Sequence, residues 1–213
     1  MKAKTITRLL DCGVIAVIRA DNVEDAEKLA DSCIKGGIVG LEVTFTVPGA
    51  NDVIKTLAGK KDHSFIVGAG TVLDEATARL AILNGAEFIV SPSFDKGVAE
   101  LCNLYQIPYM AGCFTITEMI TAIKAGVDVI KVFPGSLASP SYFKAVHGPL
   151  PYANLMPTGG VSIENAKEWI LNGAVAIGTG GDLTSPAKNG DYDEVQRRAA
   201  AFVREVKEAR EGR

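Results

Sequence analysis

The sequence predicts an α/β fold, a (β/α)8 barrel of the TIM type with an extra N-terminal helix. Three observations predict it. Short runs rich in Val and Ile recur eight times at intervals of about 20 to 27 residues, and segments of helical periodicity separate them. Glycines and polar residues gather just beyond each run, where a barrel keeps its functional loops. A doubly wound open sheet is the alternative, since alternation of strand and helix does not by itself prove closure.

In chain order, residues 3–11 form the extra helix, and the first strand is "VIAVI" at 14–18. It has no polar alternation, as expected for a strand covered on both faces. The helical segment "VEDAEKLADSCIKGG" leads to "IVGLEVTF" at 38–45, then "SFIVGAG" at 64–70. "DEATARLAILNGA" connects to "AEFIVS" at 86–91, followed by "IPYMAG" at 107–112. "TITEMITAIKAG" leads into "VDVIKVF" at 127–133, then "NLMPTG" at 154–159. "SIENAKEWILNGA" precedes the eighth strand, "AVAIGTG" at 174–180, and residues 191–210 form a closing helix. Most of the helical segments start near Asp, Ser or Thr and end in Gly or Asn-Gly, which are the residues that cap helices.

With 213 residues, 47% hydrophobic and 22% charged, the chain suits one large domain with an ample core, taken as residues 1–213. A net charge of -3 leaves no basic surplus for gripping nucleic acid, and the charge runs are short, "GKKDH" and "VREVKEAREGR". No segment approaches the roughly 18 apolar residues of a membrane span, and the first thirty residues do not read as a signal peptide. A soluble, cytoplasmic protein with no membrane or nucleic-acid partner is expected. The four cysteines make no CxxC pair, so reduced thiols are expected. His63 and His147 lack a second His or Cys at ligand spacing, so metal-free chemistry without a cofactor is favoured.

Within "DVIKVFPG", Lys131 stands in an otherwise apolar run. A strand buried on both faces points this amine into protein whichever way it faces, and burial disfavours an unpaired ammonium. Lys131 lies near the carboxyl end of the sixth strand, and Glu42 holds a similar place in the second, inside "LEVTFT". The two can converge at the barrel mouth. One reading is a structural ion pair; the other is covalent catalysis, with the lysine attacking a carbonyl and the carboxyl group moving protons. The stretches "PTGG" after the seventh strand and "IGTGG" after the eighth occupy the loops where many barrels bind phosphate through backbone N–H groups.

Together with these features, "AVIRADN", "GLEVTFTVPGA", "VGAGTVLD", "AEFIVSP", "IKVFPG" and "PTGGVS" resemble the 2-keto-3-deoxy-6-phosphogluconate (KDPG) aldolase family, whose members also cleave 4-hydroxy-2-oxoglutarate (KHG). The resemblance runs over nearly the whole chain. It implies a class I aldolase on a homotrimeric barrel acting on a small 2-keto acid, with Lys131 carrying the Schiff base and Glu42 as general acid/base. It also implies that Thr71 and Pro92 border the pyruvate part of the substrate, while Thr158, Gly159, Gly160 and Gly181 lie towards its distal end. Phe133 is counted with the substrate-binding residues. A sugar-phosphate isomerase or epimerase, and a catalytically idle trimeric scaffold, are the alternatives.

Two positions depart from the family pattern. Thr46 stands where many members have arginine, and Arg19 is the nearest candidate to supply a cation for a substrate anion, unless it pairs with Asp21 or Glu42. Asp182, in "GTGGDLTSP", stands where many relatives have serine. It either faces the phosphate pocket, where it would repel a phosphate, or caps a short helix. Trp169, Phe88 and Phe202 fit core positions and Cys113 reads as packing. Lys124 and Lys144 read as solvated helix residues, and Tyr105 and Tyr109 receive no role.

Overall fold

The computed structural model describes residues 2–60 and 63–212; Lys61 and Asp62 of the "GKKDH" run therefore lie outside the described residues. The strands are β1 (Val14–Ile18), β2 (Gly40–Thr44), β3 (Ile66–Gly70) and β4 (Ile89–Val90), then β5 (Tyr109–Cys113), β6 (Val129–Val132), β7 (Leu155–Pro157) and β8 (Ile177–Thr179). From β1 to β7 neighbours in sequence pair in parallel, and β8 pairs with β1. Two parallel bridges, Leu155 with Ala174 and Thr158 with Gly178, join the β7 and β8 sides. The first strand thus meets the last, and the sheet is a (β/α)8 barrel rather than an open doubly wound sheet.

The ladders are shorter than most of the apolar runs. β1 matches its run, whereas the run at 86–91 contracts to two ladder residues. Its flanks still bond, with Ala69 N–H donating to the Phe88 carbonyl at 3.0 Å and Ser91 N–H to the Met110 carbonyl at 3.0 Å. Continuous burial, rather than ladder pairing, sets the length of an apolar run.

The helices are α1 (Lys2–Cys12), α2 (Val23–Lys35), α3 (Ala50–Gly59), α4 (Glu75–Leu83) and α5 (Lys96–Tyr105). They continue with α6 (Ile116–Lys124), α7 (Pro140–His147), α8 (Ile163–Leu171), the short α9 (Gly181–Thr184) and α10 (Tyr192–Glu211). The expected starts at Asp74 and Thr115 are caps: Asp74 accepts from Thr77 N–H at 2.7 Å, and Thr115 with Glu118 forms a reciprocal capping box. Asp95 also caps its helix, accepting from Val98 N–H at 2.8 Å. Asn84-Gly85 and Asn172-Gly173 end α4 and α8 with the glycines at φ 99° and 107°, a conformation that disfavours any side chain with a Cβ.

Two apolar layers follow from strand alternation. Ile15, Ile66, Phe88, Met110, Val129 and Met156 form the inner cluster, and Leu9 of α1 packs with them. α1 therefore closes the amino-terminal end of the barrel. The Phe88 ring fills the space above Gly68, where a Cβ would lie 2.5 Å from it. Residues of opposite parity, with Trp169 and Phe202, form the larger cluster between strands and helices. Tyr109 is buried there, its hydroxyl donating to Ser91 Oγ at 2.9 Å. Tyr105 lies at the surface with the Arg79 guanidinium 4.3 Å above its ring, and Lys124 and Lys144 are exposed. Among the described residues no helix is long and apolar enough to cross a membrane.

Candidate active site

The parity of β6 decides where Lys131 points. Val129 belongs to the inner cluster, so Lys131, two residues on, also faces the barrel interior. Its strand neighbours in register are Gly112 of β5 and Met156 of β7. Glu42 reaches the same interior from β2, between Val17 of β1 and Gly68 of β3. A Cβ on Gly70 would sit 2.2 Å from Glu42 Oε1, so the glycine in β3 makes room for the carboxylate.

Lys131 Nζ and Glu42 Oε1 are 3.5 Å apart, with Lys131 only 5% exposed and Glu42 1%. That separation is longer than the 2.7–2.9 Å or so of a well-made charge-assisted hydrogen bond. Glu42 Oε2 is buried and has no hydrogen-bond partner among the described residues. A buried pair kept only for stability needs its remaining lone pairs satisfied. Here one carboxylate oxygen is left to exchange a proton with whatever enters. The Phe133 ring lies 5.2 Å from Nζ.

The other expected residues surround this pair at the carboxyl ends of the strands. Thr71 follows β3 at φ 56°, an unusual conformation for a β-branched residue that costs on the order of 1–3 kcal/mol. Pro92 follows Ser91, and its carbonyl lies 2.0 Å from where a Gly112 Cβ would stand, so the β4 loop closes directly on β5. Thr158 Oγ1 is buried without a partner among the described residues, beside Gly178, where a Cβ would be 2.4 Å from it. Gly159 and Gly160 adopt φ 87° and 73°, and Gly135 N–H donates to the Thr158 carbonyl at 2.7 Å. Gly181 opens α9 at the surface. Among the described residues no three His, Cys, Asp or Glu side chains come together as a metal site would require.

The pattern of a buried lysine and carboxylate on opposite strands, below two glycine-rich loops, coincides with a family match. The model of the aldolase family described as "KDPG and KHG aldolase" matches residues 5–198. This chain belongs to the KDPG/KHG aldolase family.

Its relatives include a 2-dehydro-3-deoxy-phosphogluconate aldolase of Treponema pallidum (strain Nichols). That protein is 34% identical over 85% of this chain and 88% of its own length. The KHG/KDPG aldolase of Escherichia coli (strain K12) is 31% identical over 91% of this chain and 92% of its own. Among solved structures, a native KDPGal structure superposes with a TM-score of 0.87 at 30% identity, covering 93% of this chain and 96% of the other. The KDPG aldolase of Legionella pneumophila, with pyruvate captured as a covalent carbinolamine, superposes at 0.82 with 28% identity, covering 89% and 93%. Membership of an aldolase family favours carbon–carbon cleavage over the isomerase and scaffold alternatives.

Two positions that the sequence leaves open, Arg19 and Asp182, can be placed in the structure. Arg19 is exposed at the end of β1 and, among the described residues, makes no ion pair with Asp21 or Glu42. Asp182 does act as a cap, but for a different helix: its carboxylate accepts from Ile163 N–H at 3.3 Å, at the start of α8. It lies inside α9 rather than before it, so it cannot cap that helix. Its backbone carbonyl takes a hydrogen bond of 2.6 Å from Arg198. We predict that Asp182→Ala costs about 1 kcal/mol in thermal or urea denaturation, as loss of a cap does. Asp182→Ser should leave the preference between KDPG and KHG unchanged; a rise in relative kcat/KM for KDPG would show instead that the carboxylate repels phosphate.

Sequence reasoning passed over the hydroxyl pair at the β1–β2 corner. Thr46 and Thr44 share a hydrogen bond of 2.8 Å, and Thr44 also donates to the Ile18 carbonyl at 3.2 Å. It also passed over Phe94 and Phe114, although both lie in loops already marked by their position after strands. Cys113 is buried packing, its thiol pushed up to about 12 by burial.

Proposed function

We propose that this protein is a class I, metal-independent aldolase that cleaves KDPG to pyruvate and glyceraldehyde 3-phosphate, KHG to pyruvate and glyoxylate, or both. The observation that carries the reading is the buried Lys131–Glu42 pair at 3.5 Å, with one carboxylate oxygen unpartnered. In this mechanism the neutral Lys131 amine attacks the C2 ketone, and Glu42 hands protons to the carbinolamine oxygen until water leaves. The iminium then draws electrons from the C3–C4 bond as Glu42 takes the C4 hydroxyl proton. An aldehyde departs and an enamine remains. Protonation at C3 and hydrolysis release pyruvate and restore the amine.

Thr71, Pro92 and Phe133 border the pyruvate half, while Thr158, Gly159, Gly160 and Gly181 receive the distal end. The buried, unpartnered Thr158 hydroxyl supports that assignment, since it can bond a substrate oxygen at no cost to an existing bond. Borohydride reduction in the presence of pyruvate tests the reading. A stable adduct on Lys131 is expected, and an unchanged mass would remove the Schiff base.

Arg19 is proposed to bind a substrate anion, supported by its exposure at the carboxyl end of β1 and by the absence of an ion pair to it among the described residues. Arg19→Ala should raise KM with little change in melting temperature, and Arg19→Lys should restore binding only in part, lacking the bidentate fork. A lowered melting temperature with KM unchanged would make the residue structural.

The active form is proposed to be a cytoplasmic homotrimer. The exposed Leu80 and Leu83 of α4 and Leu104 of α5, on helices packed against each other, support a face that another copy covers. Sedimentation equilibrium checks it, and a monomer mass would refute it.

A further inference from the structure

Three polar groups of the β4–α5 loop converge on one buried oxygen, the hydroxyl of Tyr109. The phenol donates to Ser91 Oγ at 2.9 Å, and its oxygen accepts from Asp95 N–H at 3.3 Å. The Ser93 carbonyl, at 3.4 Å, is a second acceptor within reach. Residues 91, 93 and 95 thus each present an atom to the phenol. Pro92 and Phe94, which alternate with them, line a cleft at the barrel mouth together with Phe114 and Phe133. Burial pushes the Tyr109 hydroxyl up to about 12, so it remains a neutral donor well above neutral pH.

The base of the side chain is fixed as firmly as its tip. Tyr109 N–H donates to Asp128 Oδ2 at 2.9 Å, and that carboxylate pairs with Lys2 Nζ at 3.0 Å. Tyr109 opens β5 in register with Ile89, so its ring reaches forward from the level of Ile89 to the loop beyond Val90. A phenylalanine would fill the same core volume. What the hydroxyl adds is a tether for the loop at 91–95. That loop bears on the surroundings of the reacting amine, because the Pro92 carbonyl lies 2.0 Å from where a Gly112 Cβ would stand and Gly112 is the register partner of Lys131.

We infer that Tyr109 is a positioning residue for the pyruvate half of the site: its hydroxyl holds the loop at 91–95 so that Pro92 stands against the pyruvate carbons while the imine forms on Lys131. The inference rests on the Schiff-base reading, in which Pro92 borders that half of the substrate. Tyr109 touches no reacting atom and acts through Pro92. A loop free to drift outward would leave the ketone less well held against the amine, and misplacement by about 1 Å can cost on the order of 10²-fold in rate.

The test follows borohydride trapping of the imine as a function of pyruvate concentration, beside thermal denaturation. It compares the wild type with Tyr109→Phe, Ser91→Ala and the double variant. Each single substitution removes one oxygen atom and leaves the core volume almost unchanged. Tyr109→Phe should raise the pyruvate concentration for half-maximal trapping by about tenfold, inside the range that such misplacement spans. Ser91→Ala should act in the same direction but by less, since the phenol can turn to the Ser93 carbonyl. The double variant should be no worse than Tyr109→Phe alone, because both changes cut one tether. Steady-state kcat/KM should fall by the same factor for KDPG and KHG, which share the pyruvate half. Ser91→Ala keeps the phenol and its bond from Asp95, and its half-saturation decides the question by itself if Tyr109→Phe does not fold. A lowered melting temperature with half-saturation unchanged, or losses that multiply in the double variant, would overturn the positioning role and leave Tyr109 a core residue. No adduct with the wild type would overturn the Schiff-base reading and this inference with it.

Discussion

Replacing Lys131 by alanine should abolish cleavage and imine trapping, with kcat falling by about 10⁶-fold, the scale on which deletion of a covalent nucleophile acts. Among the described residues no other lysine is buried, and Lys131 enters the interior on the inward parity of β6, 5% exposed and facing Glu42. The barrel should stay folded. Removing the lysine leaves the Glu42 carboxylate buried without its cation, which would cost about 3–5 kcal/mol if the charge were held. Turnover measured beside far-UV circular dichroism and thermal denaturation separates the two effects. Retained turnover in a folded variant would refute the Schiff-base assignment.

Glu42→Gln should divide the reaction into a step that survives and a step that fails. Glutamine has the same shape, so it fits against Gly70 where a larger group would not. It cannot accept the proton that leaves the C4 hydroxyl. The imine with pyruvate should still form, slowly, and remain trappable, while turnover of KDPG or KHG falls by about 10² to 10⁴, the usual contribution of a general acid/base. Single-turnover trapping against steady-state kinetics reads both quantities. If imine and turnover fall together and the melting temperature collapses, the pair is a structural ion pair. The 3.5 Å separation and the orphaned Oε2 argue against that outcome.

The sequence by itself determined the elements and the burial of Lys131 and Glu42, because both are written in neighbouring residues. Apolar runs without alternation marked strands covered on both faces, Asp74 and Thr115 marked helix starts, and a lone lysine in such a run had to face protein. Tertiary structure alone decided what depends on residues far apart in the chain. Closure rests on hydrogen bonding of β1 to β8, the two ends of the strand series, which no local pattern encodes. Local sequence leaves Asp182 between facing a phosphate pocket and capping the short helix it begins; its carboxylate meets Ile163 N–H instead, because β7 and β8 lie side by side and bring the start of α8 to the α9 turn. Arg19 had two carboxylates within plausible reach in sequence and pairs with neither among the described residues, since the end of β1 carries it out to the open mouth. Phe94, Phe114 and Phe133 come from three separate loops, and only the packing of β4, β5 and β6 side by side turns them into one cleft. Periodicity records which face of an element is buried; which distant residue it is buried against is set by the closed sheet.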